Sequence, residues 1–295
     1  MIPFNRIGIV TRPDTPAIAP DVRELVQFLH GRGAQVLMEA ECACQLLDEP
    51  SRSHCQLYDD GEDWGRLCNL IVVLGGDGTF LSAARKVAPY RVPVVGVNLG
   101  TLGFLAQVPR EQMLEELARI LSGQYLTENC ILLQADVRRN GEEIYRNLAL
   151  NDVVLSRGSA GKMIEFEVFI NEQFVYTQRS DGLIVSTPTG STAYALAAGG
   201  AILQAGLNAF TLVPVCPQSL TNRPIVISDT AQIDILVTKA DDARVHYDGQ
   251  SFTDIRSMDS ISLRRYHHAV KVINPVNYQY YRTLRQKLHW GEQLV

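Results

Sequence analysis

The 295-residue chain has no block of lysines and arginines: 27 basic side chains stand against 32 acidic ones, for a formal charge of −5. That excludes the basic stripe with which a protein grips a nucleic-acid backbone, although local backbone dipoles can still hold a small anion. No apolar run reaches membrane-spanning length, and even residues 183–202 are broken by Pro188 and several polar side chains. The opening residues, Met1-Ile2-Pro3-Phe4-Asn5-Arg6, lack the charged flank and apolar core of an export signal, so the chain reads as cytoplasmic. Of six cysteines, four (Cys42, Cys44, Cys55 and Cys68) fall close together beside His54, yet none forms a C-x-x-C pair. Reduced thiols are therefore favoured over a zinc knuckle. Two familiar phosphate loops are also missing. There is no G-x-x-x-x-G-K-[ST], and a G-x-G-x-x-G starting at Gly76 fails because position 81 is Leu.

What is present centres on Leu70-Ile71-Val72-Val73-Leu74 followed by Gly75-Gly76-Asp77-Gly78-Thr79. A buried strand, a glycine-rich turn and a helix over residues 82–88 are how a chain offers bare backbone N–H groups to a phosphate. Asp77 is the oddity, because an acid repels a polyphosphate unless a metal ion or a proton transfer accounts for it. The bland alternative is a tight turn whose aspartate caps the helix.

Around this stretch, Ile7–Val10, Val36–Met38 and Val92–Val97 read as further short strands. A helix is expected from an Asp21 N-cap to Gly31, and another over Glu111–Leu121; residues 40–66 read as loop plus a short helix. Short apolar strands alternating with helices predict a parallel sheet covered on both faces. Beyond Gly123 the pattern changes to strict alternation with turn pairs, notably Asn140-Gly141 and Asn171-Glu172. Strands are expected at intervals up to Val270–Ile273, forming a sandwich-like all-β region interrupted by one helix near Ser191–Ala198. An aromatic, helix-patterned tail from Tyr278 to Trp290 is expected to return to the first domain.

Three more motifs carry polar chemistry. Asn98-Leu99-Gly100-Thr101-Leu102-Gly103-Phe104-Leu105 allows close backbone approach, with Phe104 either stacking on a base or serving as core. Asn151-Asp152 combines an amide and a carboxylate able to grip ribose hydroxyls or a base edge, but is also a common turn. Ser180-Asp181-Gly182 leads through a strand into Thr187-Pro188-Thr189-Gly190-Ser191-Thr192-Ala193-Tyr194, a hydroxyl-rich turn that a simple capping box does not account for.

Taken together and in this order, these motifs resemble the NAD kinase family, over residues 7–273. The GGDG element alone is shared with lipid kinases and phosphofructokinases; the hydroxyl-rich motif makes the resemblance specific. It implies an α/β plus all-β protein. An N-terminal Rossmann-like α/β domain would span residues 1–125 and be joined by 274–295, with a C-terminal β-sandwich over 126–273 and the site between them. It implies transfer of the γ-phosphoryl of ATP to the 2′-hydroxyl of the adenosine ribose of NAD, giving NADP. The accompanying divalent cation would be Mg²⁺, held by ligands that the sequence does not identify.

By the same resemblance Asp77 is the catalytic base, and Gly75, Gly76, Gly78 and Thr79 face the ATP phosphates. The dinucleotide falls to Asp77, Gly78, Phe104, Asn151, Asp152, Lys162, Asp181, the run Thr192-Ala193-Tyr194-Ala195-Leu196-Ala197, and Gln250. Arg179 is expected to favour NAD over NADH, or else to be a surface cation paired with a carboxylate. A homo-oligomer, dimer or tetramer, is expected, with no nucleic-acid or membrane partner. The competing readings are a GGDG-class lipid kinase and a non-catalytic dinucleotide sensor.

Overall fold

The computed structural model describes residues 4–12, 15–59, 64–100, 103–159 and 161–290, so Thr101 and Leu102 of the second glycine motif lie outside it. The chain divides into two compact units, Met1–Asn129 with Val270–Val295, and Cys130–Ala269.

In the first unit Leu70–Leu74 is buried at every position, as a strand covered on both faces must be. It pairs in parallel with Arg6–Val10 on one side and Val94–Asn98 on the other, with Ile9 opposite Val72 and Ile71 opposite Val94. The sheet runs in the order Cys55–Tyr58, Gln35–Glu39, Arg6–Val10, Leu70–Leu74, Val94–Asn98, Val270–Asn274, Leu126–Cys130, with Val108–Pro109 also beside Val94–Asn98. Helices Ala19–Gly31 and Met113–Leu121 bury Leu25, Leu29, Leu117 and Ile120 against it. The order in which successive strands are added reverses between Arg6–Val10 and Leu70–Leu74, which remain parallel. Their C-terminal ends flank the switch point at which open α/β sheets place ligands.

Three local expectations change. Asp21 is not the N-cap, a position held by Ile18; it lies in the first turn, where its buried carboxylate accepts from Arg110 Nε at 2.7 Å and Nη2 at 2.8 Å. The described part of residues 40–66 holds two short α-helices, Ala40–Leu46 and Glu49–Arg52, a strand, Cys55–Tyr58, at the sheet edge, and a single 3-10 turn, Trp64–Arg66. Val270–Asn274, expected as part of the β-rich region, instead pairs in parallel with Val94–Asn98. The final helix, Tyr280–Leu288, belongs to the same unit.

The second unit consists of two six-stranded antiparallel sheets. Inward residues of one sheet (Val153, Leu155, Val185, Val245) and of the other (Phe166, Val168, Ile235, Ile261) share one core, which makes the unit a β-sandwich. Asn140 and Gly141 have φ of 52° and 84°, and Asn171 and Glu172 have 49° and 65°, the left-handed pairs that tight hairpins require. Gly182–Ser186 is buried throughout because Ala195, from the short helix Tyr194–Ala197, covers Ile184 on the face away from the sandwich core.

Candidate functional site

Asp77 is the first residue of the helix Asp77–Val87, directly after the glycine turn. Its carboxylate accepts three successive backbone N–H groups: Phe104 on Oδ2 at 2.8 Å, and Leu105 and Ala106 on Oδ1 at 3.1 and 3.2 Å. Gly103, just before them, has no room for a side chain, because a Cβ there would collide with the Asp77 carboxylate. The two glycine motifs thus meet through this one aspartate. Phe104 is half-buried, and Gly76 has no heavy atom within 4 Å of where a Cβ would begin, leaving its backbone open to approach.

A cavity of about 410 Å³ opens beside the turn, lined by Gly75, Gly76 and Thr79 together with Thr11, Arg12 and Arg110. It lies at the switch point of the sheet. Thr11 Oγ1 is buried without a hydrogen-bond partner among the described residues. Arg12 brings a cation to the wall, while the Arg110 guanidinium is engaged by Asp21. Sequence reasoning missed Thr11 and Arg12. Their only signal was position, immediately after the first strand.

In the second unit a cavity of about 410 Å³ is lined by Asn151, Asp152, Ala193, Tyr194, His246, Asp248 and Gly249. The Asp248 carboxylate accepts the N–H groups of Leu150, Asn151 and Asp152 at 3.0, 2.8 and 3.1 Å, fixing the Asn-Asp pair. Asp152 is 5% exposed. Burial, reinforced by the neighbouring Asp248 carboxylate, pushes its pKa up to about 7. His246 is shifted the other way, toward the neutral imidazole, by burial and by Arg244. Asn151 Oδ1 is a buried acceptor with no hydrogen-bond partner among the described residues, a polar atom open to a ligand.

The hydroxyl-rich run sits against this cavity but turns most of its hydroxyls inward. Thr187 Oγ1 donates to Leu150 O at 2.5 Å, Ser186 Oγ to Thr187 O at 3.0 Å, and Ser191 Oγ to Pro188 O at 2.6 Å. Thr192 Oγ1 reaches Thr189 O at 3.3 Å. The run is long because it staples the Asn151 loop to the short helix; Ala193 and Tyr194 are the residues it presents to the cavity. Ala195 is fully buried beneath them.

The remaining expected residues lie elsewhere. The Lys162 side chain is 77% exposed and pairs with Asp241 at 2.7 Å. Arg179 is half-exposed and 3.8 Å from Glu165, the surface pairing that stood as its alternative. Asp181 accepts from Arg157 Nε at 2.7 Å, and Gln250, on the turn after Tyr247, is exposed. Asp248, two residues before the expected Gln250, proves to organise the loop. His246 carried no sequence signal beyond strand alternation.

The comparisons with known proteins cover both units. Residues 7–125 match the ATP-NAD kinase N-terminal domain and residues 150–275 the ATP-NAD kinase C-terminal domain. An NAD kinase from Neisseria gonorrhoeae (strain NCCP11945) is 58% identical over 297 residues, covering 99% of each chain. One from Laribacter hongkongensis (strain HLHK9) is 48% identical over 294 residues, again with 99% of each covered. Among solved structures, yeast NADH kinase complexed with NADH superposes with a TM-score of 0.90 at 25% identity, over 99% of this chain and 90% of that one. An NAD kinase from Archaeoglobus fulgidus in complex with ATP shares the fold, with a TM-score of 0.73 at 24% identity over 96% and 98% of the two chains.

Proposed function

The chain belongs to the NAD kinase family, and from that premise we propose that it transfers the γ-phosphoryl group of ATP to the 2′-hydroxyl of the adenosine ribose of NAD, with Asp77 as general base. The observation that carries the assignment of the base is the geometry of Asp77 in the glycine turn. A carboxylate has about four acceptor positions. Three are taken by the N–H groups of residues 104–106, leaving one on Oδ2. A ribose hydroxyl is a poor nucleophile, so an acceptor held rigidly within hydrogen-bond reach is what the reaction needs.

Phosphoryl transfer otherwise depends on positioning and charge neutralisation. Gly75, Gly76, Gly78 and Thr79 are the proposed triphosphate contacts, with Arg12 supplying a cation in place of a Walker lysine. Among the described residues no three carboxylate, imidazole or thiolate groups converge. A magnesium ion would be carried in on the triphosphate rather than held by a cluster of side chains. When bound, magnesium supplies charge neutralisation at the phosphate oxygens. Asn151, Asp152 and the residues from Thr192 to Ala197 form the proposed dinucleotide set, with Phe104 beside the adenine and Lys162, Arg179, Asp181 and Gln250 completing it. The first unit is then the nucleotide-binding domain and the second the NAD-binding domain.

A cytoplasmic location and self-association are part of this proposal. Cys44 and Cys216 are exposed thiols, no disulfide joins the six cysteines, and no described helix is long and apolar enough to cross a membrane.

Incubation with Mg-ATP and NAD, read by an NADP-specific dehydrogenase, is expected to show NADP formation. Asp77→Asn should still bind NAD yet lose at least about 10²-fold in kcat. Absence of NADP from the parent protein would overturn the kinase reading in favour of a lipid kinase or a silent sensor. Parent-level turnover by Asp77→Asn would overturn the choice of base alone.

A further inference from the structure

The loop that grips Asp77 is itself gripped from behind. Gln107 Nε2 donates to the carbonyl oxygens of Gly103 and Phe104, each at 2.8 Å. Those carbonyls belong to the same two peptide units as the N–H groups of Phe104 and Leu105, which donate to Asp77 at 2.8 and 3.1 Å. A trans peptide unit is planar, with its C=O and N–H pointing in opposite directions. Each unit is therefore pinned at both ends, its oxygen by the Gln107 amide and its hydrogen by the Asp77 carboxylate. We propose that Gln107 is a positioning residue for phosphoryl transfer, holding two peptide planes so that their N–H groups, rather than their carbonyls, face Asp77. This rests on the reading of Asp77 as the base.

Two physical effects run in the same direction. Donation to a carbonyl oxygen polarises the peptide and strengthens its N–H as a donor. Restraint of the plane prevents a rotation that would bring a carbonyl oxygen toward the carboxylate and push it out of line. The side chain is 9% exposed and sits between the loop and the final helix, where Thr283 Oγ1 lies 3.4 Å from its Oε1. That contact is long for a hydroxyl donor, but it sets the amide with oxygen toward the helix and nitrogen toward the loop. A cavity of about 380 Å³, lined by Gln107, Gln112, Glu116, Tyr278, Arg282 and Thr283, lies on the helix side. Truncation of Gln107 to alanine would let water from this cavity replace the amide, so leucine, which fills the volume without donors, is the sharper probe.

The test is a cycle of four proteins: parent, Gln107→Leu, Asp77→Asn and the double variant, each measured for kcat, for KM toward NAD and ATP, and for thermal midpoint. Gln107→Leu is expected to lower kcat about tenfold or more, with both KM values within about twofold, because it misplaces the base without touching either substrate. In the Asp77→Asn background the same change should cost almost nothing further. Two results would overturn the proposal while leaving the base reading intact: parent-level kcat for Gln107→Leu while Asp77→Asn is impaired, or losses that multiply in the double variant. Parent-level turnover by Asp77→Asn would remove the base reading and this inference with it. Should Gln107→Leu fail to fold, Gln107→Asn, which keeps the donors one methylene too short, is held to the same outcomes.

Discussion

Two aspartates in this chain make the same unusual contact. Asp77 takes the N–H groups of residues 104–106 and Asp248 those of residues 150–152, so three donors on a carboxylate do not by themselves mark a base. What separates them is address: Asp77 stands in an open glycine turn at a helix N-terminus, while Asp248 buttresses the loop that presents Asn151 and Asp152. The buttress has a consequence for Asp152, which holds its proton up to about pH 7 in the folded chain against an ordinary value of 3.8. Between those values the unfolded chain has released that proton and the folded chain has not. Stability from this one group therefore falls as pH rises, by about 1.4 kcal/mol per pH unit, and levels off above its folded pKa. Asp152→Asn should abolish that slope. Relative to the parent it is expected to gain about 2.6 kcal/mol in urea-unfolding free energy between pH 5 and pH 8. An unchanged difference between the two proteins would mean that Asp152 is already ionised in the fold at pH 5.

The hairpin turns are the elements most tightly bound to particular residues. Gly141 has φ of 84° beside Asn140 at 52°, and the turn sets the register that places Arg139 opposite Glu142. A β-branched residue is strained at that angle, so Gly141→Val is expected to cost about 1–2 kcal/mol. The change should appear as a lower urea midpoint with the slope unaltered. Local chemistry of this kind is what made so much of the fold legible. Asn-Gly announces its hairpin, the unbroken apolar run Leu70–Leu74 announces a strand buried on both faces, and the glycines after it announce the turn.

Cys55–Tyr58 was hidden because it is an edge strand with only Tyr58 fully buried, and nothing in Cys-Gln-Leu-Tyr forces alternation. Val270–Asn274 read correctly as a strand but not as to which sheet it joins, since that is decided by partners far away in sequence. The hydroxyl-rich run was legible as a motif and not as a staple, because composition does not say which way a hydroxyl points. Gln107 gave no signal at all: its importance lies in two backbone carbonyls, which the sequence does not write.

At the scale of the whole molecule, the first unit is discontinuous. Val270–Asn274 lies between Val94–Asn98 and Leu126–Cys130 in its sheet, so the last segment of the chain occupies an interior place. A chain ended after Ala269 should lose the cooperative unfolding transition of the first unit and expose it to limited proteolysis. A chain ended after Gln279, lacking only the final helix, should keep the transition at a lower midpoint. Equal protection of the two truncations would show that the sheet closes without its interior strand. The same arrangement imposes a timetable on synthesis. Leu74 and the glycine turn leave the ribosome early, yet the strand that completes their sheet emerges only after the entire β-sandwich has been made. The second unit can fold as it appears, while the first must wait, its hydrophobic strands open to wrong partners, for Val270–Asn274 to arrive.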